Sequence, residues 1–278
     1  MSLSAEQIVQ NAEQLPPPPK VMTDLLTLFA RADVDARRIA DIIAADMTLS
    51  LRTLKVANSP FYGLSKRVAT VHEATAILGF RALRMLVLAV GSAQLMQLPP
   101  ALRASMGHLL RHSTRCAMLA RLLAETTGYA AEEAFTAGIL HDVGKIVLAQ
   151  ATPIQLPEHG ADADWIIRSD VSAERAAFGT DHAELGQILL RRWKFPDALC
   201  EAAGRHHEST EPLPTLCALV GLADRLADTE IDNDDFPPAA LMPWISRAMG
   251  DFAMPAPNTL LTVIAEADAL ARVLEADA

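Results

Sequence analysis

Residues 138–148, GILHDVGKIVL, set a histidine beside an aspartate inside an apolar run. Burying an imidazole and a carboxylate among isoleucine and leucine is unfavourable unless something pairs them. A metal ion, a satisfied structural pair or a relic site would each answer. Other polar residues fall on apolar stripes in the same way. His112 shares a helical face with Leu109, Cys116, Leu119 and Leu123, at steps of three and four. Asp142 follows Phe135 and Ile139 and precedes Ile146, while His141 lies about 100° round the helix, over Ala134 and Gly138. Lys145, four residues on, falls beside His141. His182 occupies the first turn after a candidate N-cap, Asp181, with Glu184 at the capping-box position. His206 and His207 end a helix on the side of Leu199 and Ala203, and Asp224 shares a face with Leu213, Cys217 and Val220.

Taken singly these signals are weak. A histidine on an apolar face is usually a core residue bonded to a carbonyl, and His206–His207 would also suit a helix C-terminus, where imidazolium is favoured. The aspartates are harder to accommodate, because an ionised carboxylate there needs a cation or several donors. Five histidines and two aspartates directed inward from five helices share one economical explanation. They would surround one or two divalent metals, with ligands suited to iron, manganese or zinc. Without a metal, Asp142 would be an unpaired buried carboxylate, and alanine there would stabilise the protein.

The elements that position these residues read as helices. The 278 residues are 51% hydrophobic but only 5% aromatic, rich in alanine and leucine, with no strand-period stretch of strength. QLPPPPK predicts a short polyproline II segment. Helices are predicted at 21–30, 37–45 and 47–57, the last capped by Asp46, then from a Thr70–Glu73 capping box to Gly79, and at 81–94. Leu25, Phe29, Ile39, Ile43, Leu51, Leu54, Ile77 and Leu86 are the expected core of this region. Pro99–Pro100 marks an internal boundary, followed by helices at 101–127, 131–150, 165–177, 181–193, 196–207, 213–229 and 260–274. An acidic, proline-bearing loop is expected over 228–243. The net charge of −10 opposes binding to nucleic acid or an anionic membrane. Cys116, Cys200 and Cys217 form no C-x-x-C pair and read as reduced core residues. With no signal-peptide pattern and no apolar span of about 20 residues, a cytoplasmic protein is expected.

The order His112, His141-Asp142, Asp224 resembles the H…HD…D pattern of the HD superfamily of metal-dependent phosphohydrolases. His182, His206 and His207 are similar to the further histidines of its two-metal branch, which contains the HD-GYP phosphodiesterases. STEPLPTL follows HHE where that branch carries GYP, so cyclic-dinucleotide cleavage is in doubt. The earlier segments LPPPPKVMTDLL, IIAADMTLSLRTLKVANSPFYG and VHEATAILGFRALRMLVL, with GTDHAELGQILLRRWKFPDALCEAAGRHHE, resemble the HDOD domain, an HD-related output domain of bacterial signalling proteins. The resemblance implies an all-α fold, an N-terminal helical lobe packed on an HD-type helical core. The domain would span 10–228, with the lobe at 10–98 and the core at 101–228, leaving 229–278 as acidic loop and C-terminal helix.

The resemblance implies one of two functions. One is a regulatory protein that contacts other signalling proteins and whose HD core binds a metal, a nucleotide or a phosphoester, or only packs. The other is a metal-dependent phosphohydrolase or phosphodiesterase, in which Asp142 bridges two metals and Lys145 neutralises transition-state charge. No receiver, GGDEF-like or kinase segment is recognised, so input is expected from a separate partner.

Overall fold

The computed structural model describes residues 7–10, 20–29, 35–58, 62, 64, 66–94, 100–151, 167–208, 213–229, 231, 237, 241–249 and 252–275. Most of these are helical, with no strand among them. The chain divides into two compact units, residues 18–97 with 268–278, and residues 1–17 with 98–267. The polyproline segment, Pro99 and most of the acidic loop lie outside the described residues.

In the first of these units, helices α1 (Lys20–Phe29), α2 (Ala36–Ala44) and α3 (Met47–Ala57) each pack on α4 (Val71–Gln94). Asp35 and Asp46 cap α2 and α3, accepting from the Arg37 and Leu49 amides. The segment DMTLS is thus a cap followed by a buried Leu49, with the Ser50 hydroxyl donating to the Ile43 carbonyl at 3.0 Å. Asn58 ends α3 and pairs with the Val68 backbone through both amide atoms, at 2.8 and 2.9 Å, which fixes the return of the chain. Two helices were expected on either side of Gly79. The structure runs them together as α4, interrupted there by φ 67° and ψ 172°. Leu25, Ile39, Ile43 and Leu86 are buried as expected. Leu51 is not. It is 62% exposed beside Met47, one turn away, because α3 buries Leu49, Thr53 and Val56 instead.

The other unit carries the candidate ligand histidines. Helix α5 (Pro100–Thr127) packs against α6 (Ala131–Leu140) and α11 (Thr215–Ala227). Helix α9 (His182–Arg192) lies on α7 (Val143–Ala151) and α10 (Asp197–Arg205), and α10 and α11 pack on each other and on α6. The short α8 (Val171–Phe178) precedes α9, α12 (Met242–Met249) rests on α11, and α13 (Pro257–Glu275) closes the described chain. Three expectations are corrected. The single helix over 131–150 breaks at His141–Asp142, because those two residues turn the chain between α6 and α7. The helix over 165–177 begins only at Val171 as a continuous element, since Ser169 and Asp170 interrupt it and Asp170 caps α8. The loop expected to reach 243 ends at α12, a helix that periodicity did not reveal. Among the described residues, no helix is long and apolar enough to cross a membrane.

Candidate metal centre

All seven candidate ligands meet in the unit of residues 98–267, though from three helices and two turns rather than five helices. His112 comes from the middle of α5, His182 from the first turn of α9 and Asp224 from the last turns of α11. His141 and Asp142 form the α6–α7 turn, and His206 and His207 the turn that ends α10. The α7–α9 crossing is what brings Asp142 to His182. A Cβ at Gly144 would overlap the His182 carbonyl oxygen and stand 2.6 Å from the Gly186 nitrogen, so only glycine permits this approach.

The ligand atoms fall into two groups, each within 4.8 Å: Asp142, His182, His206 and His207 in one, and His112, His141 and Asp224 in the other. Within the first, the Nε2 atoms of His182 and His207 face each other at 2.9 Å. Within the second, those of His112 and His141 are 3.2 Å apart, and Asp224 Oδ1 lies 3.1 and 3.5 Å from them. Asp142 faces both groups. Its Oδ1 lies 3.1 Å from His182 Nε2 and 3.8 Å from His206 Nε2, and its Oδ2 lies 3.8 Å from His112 Nε2 and 3.6 Å from His141 Nε2.

The rings are oriented from behind. His141 Nδ1 donates to the Gly138 carbonyl at 2.7 Å and His206 Nδ1 to that of Ala203 at 2.8 Å. His182 Nδ1 meets Glu174 Oε2 at 2.6 Å, and His112 Nδ1 meets Asp228 Oδ1 at 3.1 Å. Each contact commits Nδ1 outward and turns Nε2 to the centre, the arrangement by which ligating histidines are fixed in metalloproteins. Glu174 is fully buried. It also accepts from the His182 amide at 2.8 Å and from the Ser169 hydroxyl at 2.8 Å. Sequence reasoning missed Glu174 and Asp228. Glu174 reads as a first-turn acid suited to the helix dipole, but its place four residues before the buried Phe178 was the available signal. Lys145 lies on Asp142 rather than beside His141: its Nζ is 3.3 Å from Asp142 Oδ2 and donates to the Ile167 carbonyl at 2.9 Å. Asp181 caps α9 as expected, but Glu184 accepts from Thr180 instead of closing a capping box.

The electrostatics leave room for cations. Burial pushes the Asp142 carboxyl up, but Lys145, His141 and His182 together hold it well below the usual carboxylate range. Asp224 is likewise held well down, against burial, by His112 and His141. Burial lowers His112 and His182, yet Asp224 with Asp228 raises the former to about 9, and Asp142 with Glu174 raises the latter to about 9. His206 and His207 go the other way. Burial and neighbouring imidazoles drive His206 well below the ordinary value and His207 down to about 4. His206 Nε2 and Asp142 Oδ1 are buried without an aligned hydrogen bond. Buried acceptors left in that state are costly. A divalent cation fits both, and the 2.9 Å between His182 and His207 is the spacing of two nitrogens about 2.1 Å from one ion at about 90°.

Comparison with known proteins agrees with this architecture. A protein of uncharacterised function from Treponema pallidum (strain Nichols) is 27% identical over 257 residues, covering 85% of this chain and 47% of that protein. Ribonuclease Y of Helicobacter pylori (strain ATCC 700392 / 26695) is 32% identical over 126 residues, 45% of this chain and 19% of the enzyme. The chain thus spans about half the length of the first relative and about a fifth of the second. The crystal structure of an HDOD domain protein of unknown function from Geobacter sulfurreducens superposes with a TM-score of 0.66 at 22% identity, over 96% of each chain, and shares its fold. The HDOD domain family matches residues 15–209, a span that includes every candidate ligand except Asp224. On that match the chain belongs to the HDOD domain family.

Proposed function

We propose that this protein is a bacterial signalling regulator whose HD core holds a pair of divalent cations, one in each ligand group, with Asp142 shared between them. One observation carries the reading: imidazole Nε2 atoms face each other at 2.9 and 3.2 Å, while three of those four rings already commit Nδ1 elsewhere. Two neutral imidazoles in that pose oppose lone pairs, and only a proton or a cation between them removes the repulsion. Iron, manganese and zinc all suit nitrogen and carboxylate donors. Bound there, the ions would supply Lewis-acid charge for phosphoryl oxygens and activation of water. The chain's own part is orientation: Glu174 and Asp228 hold His182 and His112, and Lys145 keeps Asp142 ionised and in place. The ligand class such a centre accepts is a nucleotide or another phosphoester, and the partners are other signalling proteins. Chelator-stripped full-length protein titrated with manganese(II) in a calorimeter is expected to take up two equivalents, and Asp142→Asn none. A parent protein that takes up no manganese overturns the reading.

Phosphoester hydrolysis is the second reading. Lys145, 3.3 Å from Asp142, places a cation beside the centre, and a curated relative is named a ribonuclease. Manganese-dependent cleavage of phosphomonoesters, cyclic dinucleotides or RNA, lost in Asp142→Asn, would support it. Cleavage of none of them by metal-loaded protein would leave the regulatory reading alone.

A further inference from the structure

Four of the five ligand histidines have Nδ1 held by an acceptor, and His207 is the exception. Among the described residues its Nδ1 has Asp224 Oδ2 at 3.7 Å, too far for a hydrogen bond. Its orientation therefore depends on the backbone of its turn, and that backbone is gripped on both sides. Arg225 Nη1 donates to the His206 carbonyl at 3.1 Å and to the Gly221 carbonyl at 2.6 Å. The guanidinium lies 4.5 Å from the centroid of the Trp244 ring, and Trp244 Nε1 donates to the Glu208 carbonyl at 3.3 Å. The carbonyls on either side of His207 are thus tied to one stacked pair. Trp244 is buried, and Gly221 leaves the space: a Cβ there would overlap the His206 carbonyl oxygen and stand 2.8 Å from Trp244 Cζ2. Both members of the pair lie beyond the residues 15–209 matched by the family, Arg225 on α11 and Trp244 on α12.

We infer that Arg225 and Trp244 position His207 for the cation of the Asp142, His182, His206 and His207 group, so that α12 is part of the metal centre's support. The inference rests on the metal reading above. A guanidinium is suited to the task because one of its NH2 groups, with two N–H donors, reaches both carbonyls while its face stays on the indole. The hydrogen bonds fall on one group of ligands, since His112 and His141 make none of these contacts; of the other group only Asp224, next to Arg225 in sequence, feels its charge.

The test is manganese(II) titration of the full chain and its variants by calorimetry. Arg225→Met keeps the side-chain stem and removes both donors. It is expected to weaken one of the two ions by about ten- to a hundredfold, the size of a lost supporting contact, and to change the other far less. Arg225→Lys should recover part of the loss. Arg205→Met, which breaks only the 2.9 Å pairing with the Glu208 side chain, should leave both ions unchanged. Should Arg225→Met fail to fold, Trp244→Phe removes the indole N–H and shrinks the ring stacked on Arg225, and should show the same one-ion loss to a smaller degree. Parental affinity at both sites in these variants, or equal weakening of both ions, overturns the inference. A parent that binds no manganese defeats the metal reading instead, and the positioning claim is then read in the metal-free protein. There, Arg225→Met should shift the ring nitrogen resonances of His206 and His207 and leave those of His112 and His141 in place. Unmoved resonances at His206 and His207 overturn it.

Discussion

In residues 18–97 the described interior is almost wholly aliphatic, with Leu25, Ile39, Ile43, Val56, Leu83 and Leu86 buried and Thr53 and Thr75 as the polar exceptions. In residues 98–267 His141, Asp142, Lys145, Glu174, Asp181, His182 and His206 are buried as well, each beside a partner of opposite charge or a polar atom. The first interior needs only shape and volume to hold it. The second is held by a charge pattern that must balance, and an aliphatic core of the same size would avoid that demand. The difference locates function: among the described residues, buried charged and imidazole side chains are confined to the unit that presents the ligands.

Substitutions should therefore act on different quantities in the two units. The largest effect is expected from Asp142→Ala, which removes the carboxylate facing both ligand groups. Metal content should fall to none by elemental analysis. The expectation that alanine would stabilise the metal-free protein reverses, because Asp142 is not unpaired. Lys145 lies 3.3 Å away and loses its partner, at a cost of about 3–5 kcal/mol in chemical denaturation. Ile43→Ala, in the aliphatic interior, should cost about 2–5 kcal/mol and leave metal content at the parental level. A coupled loss of metal would break the contrast between the units. Gly144→Ala should lower stability by about 1–3 kcal/mol and weaken metal binding together, because it forces α7 from α9 at the Asp142–His182 contact.

The smallest effect is a pH dependence. His112 and His182 are raised to about 9 in the folded, metal-free protein, from an ordinary 6.5. Both bind a proton more tightly folded than unfolded, so the stability this gives is complete below pH 6.5 and is lost as pH rises through 9. The lowered His206 and His207 act below 6.5, outside that window. Metal-free protein should lose stability as pH rises from 6.5 to 9, while manganese affinity rises over the same range as protons leave the ligands. A denaturation midpoint that stays level across this window would show that the two imidazoles do not carry the charge assigned to them.

The helices around the centre were legible because their apolar stripes are interrupted by the ligands themselves, as at His112 and Asp224. The break at His141–Asp142 was not, because Leu140, Val143, Ile146 and Val147 are all buried and the apolar pattern runs through the turn without a polar face to mark it. Lys145 was misplaced for the same reason: an unbroken helix sets it beside His141, and the turn sets it on Asp142. Glu174 looked like an ordinary first-turn acid, and its role depends on a partner eight residues away in sequence. Helix α12 is short and comes after a stretch of acids and prolines, so its one informative residue, Trp244, had no periodic context.

The most direct test of the central claim is anomalous diffraction from crystals of the full-length protein purified without chelator or added metal. Two peaks are expected, one among Asp142, His182, His206 and His207 and one among His112, His141 and Asp224, with Asp142 between them. Well-ordered ligand side chains with no anomalous peak in either group, in crystals also soaked in manganese(II), would contradict it.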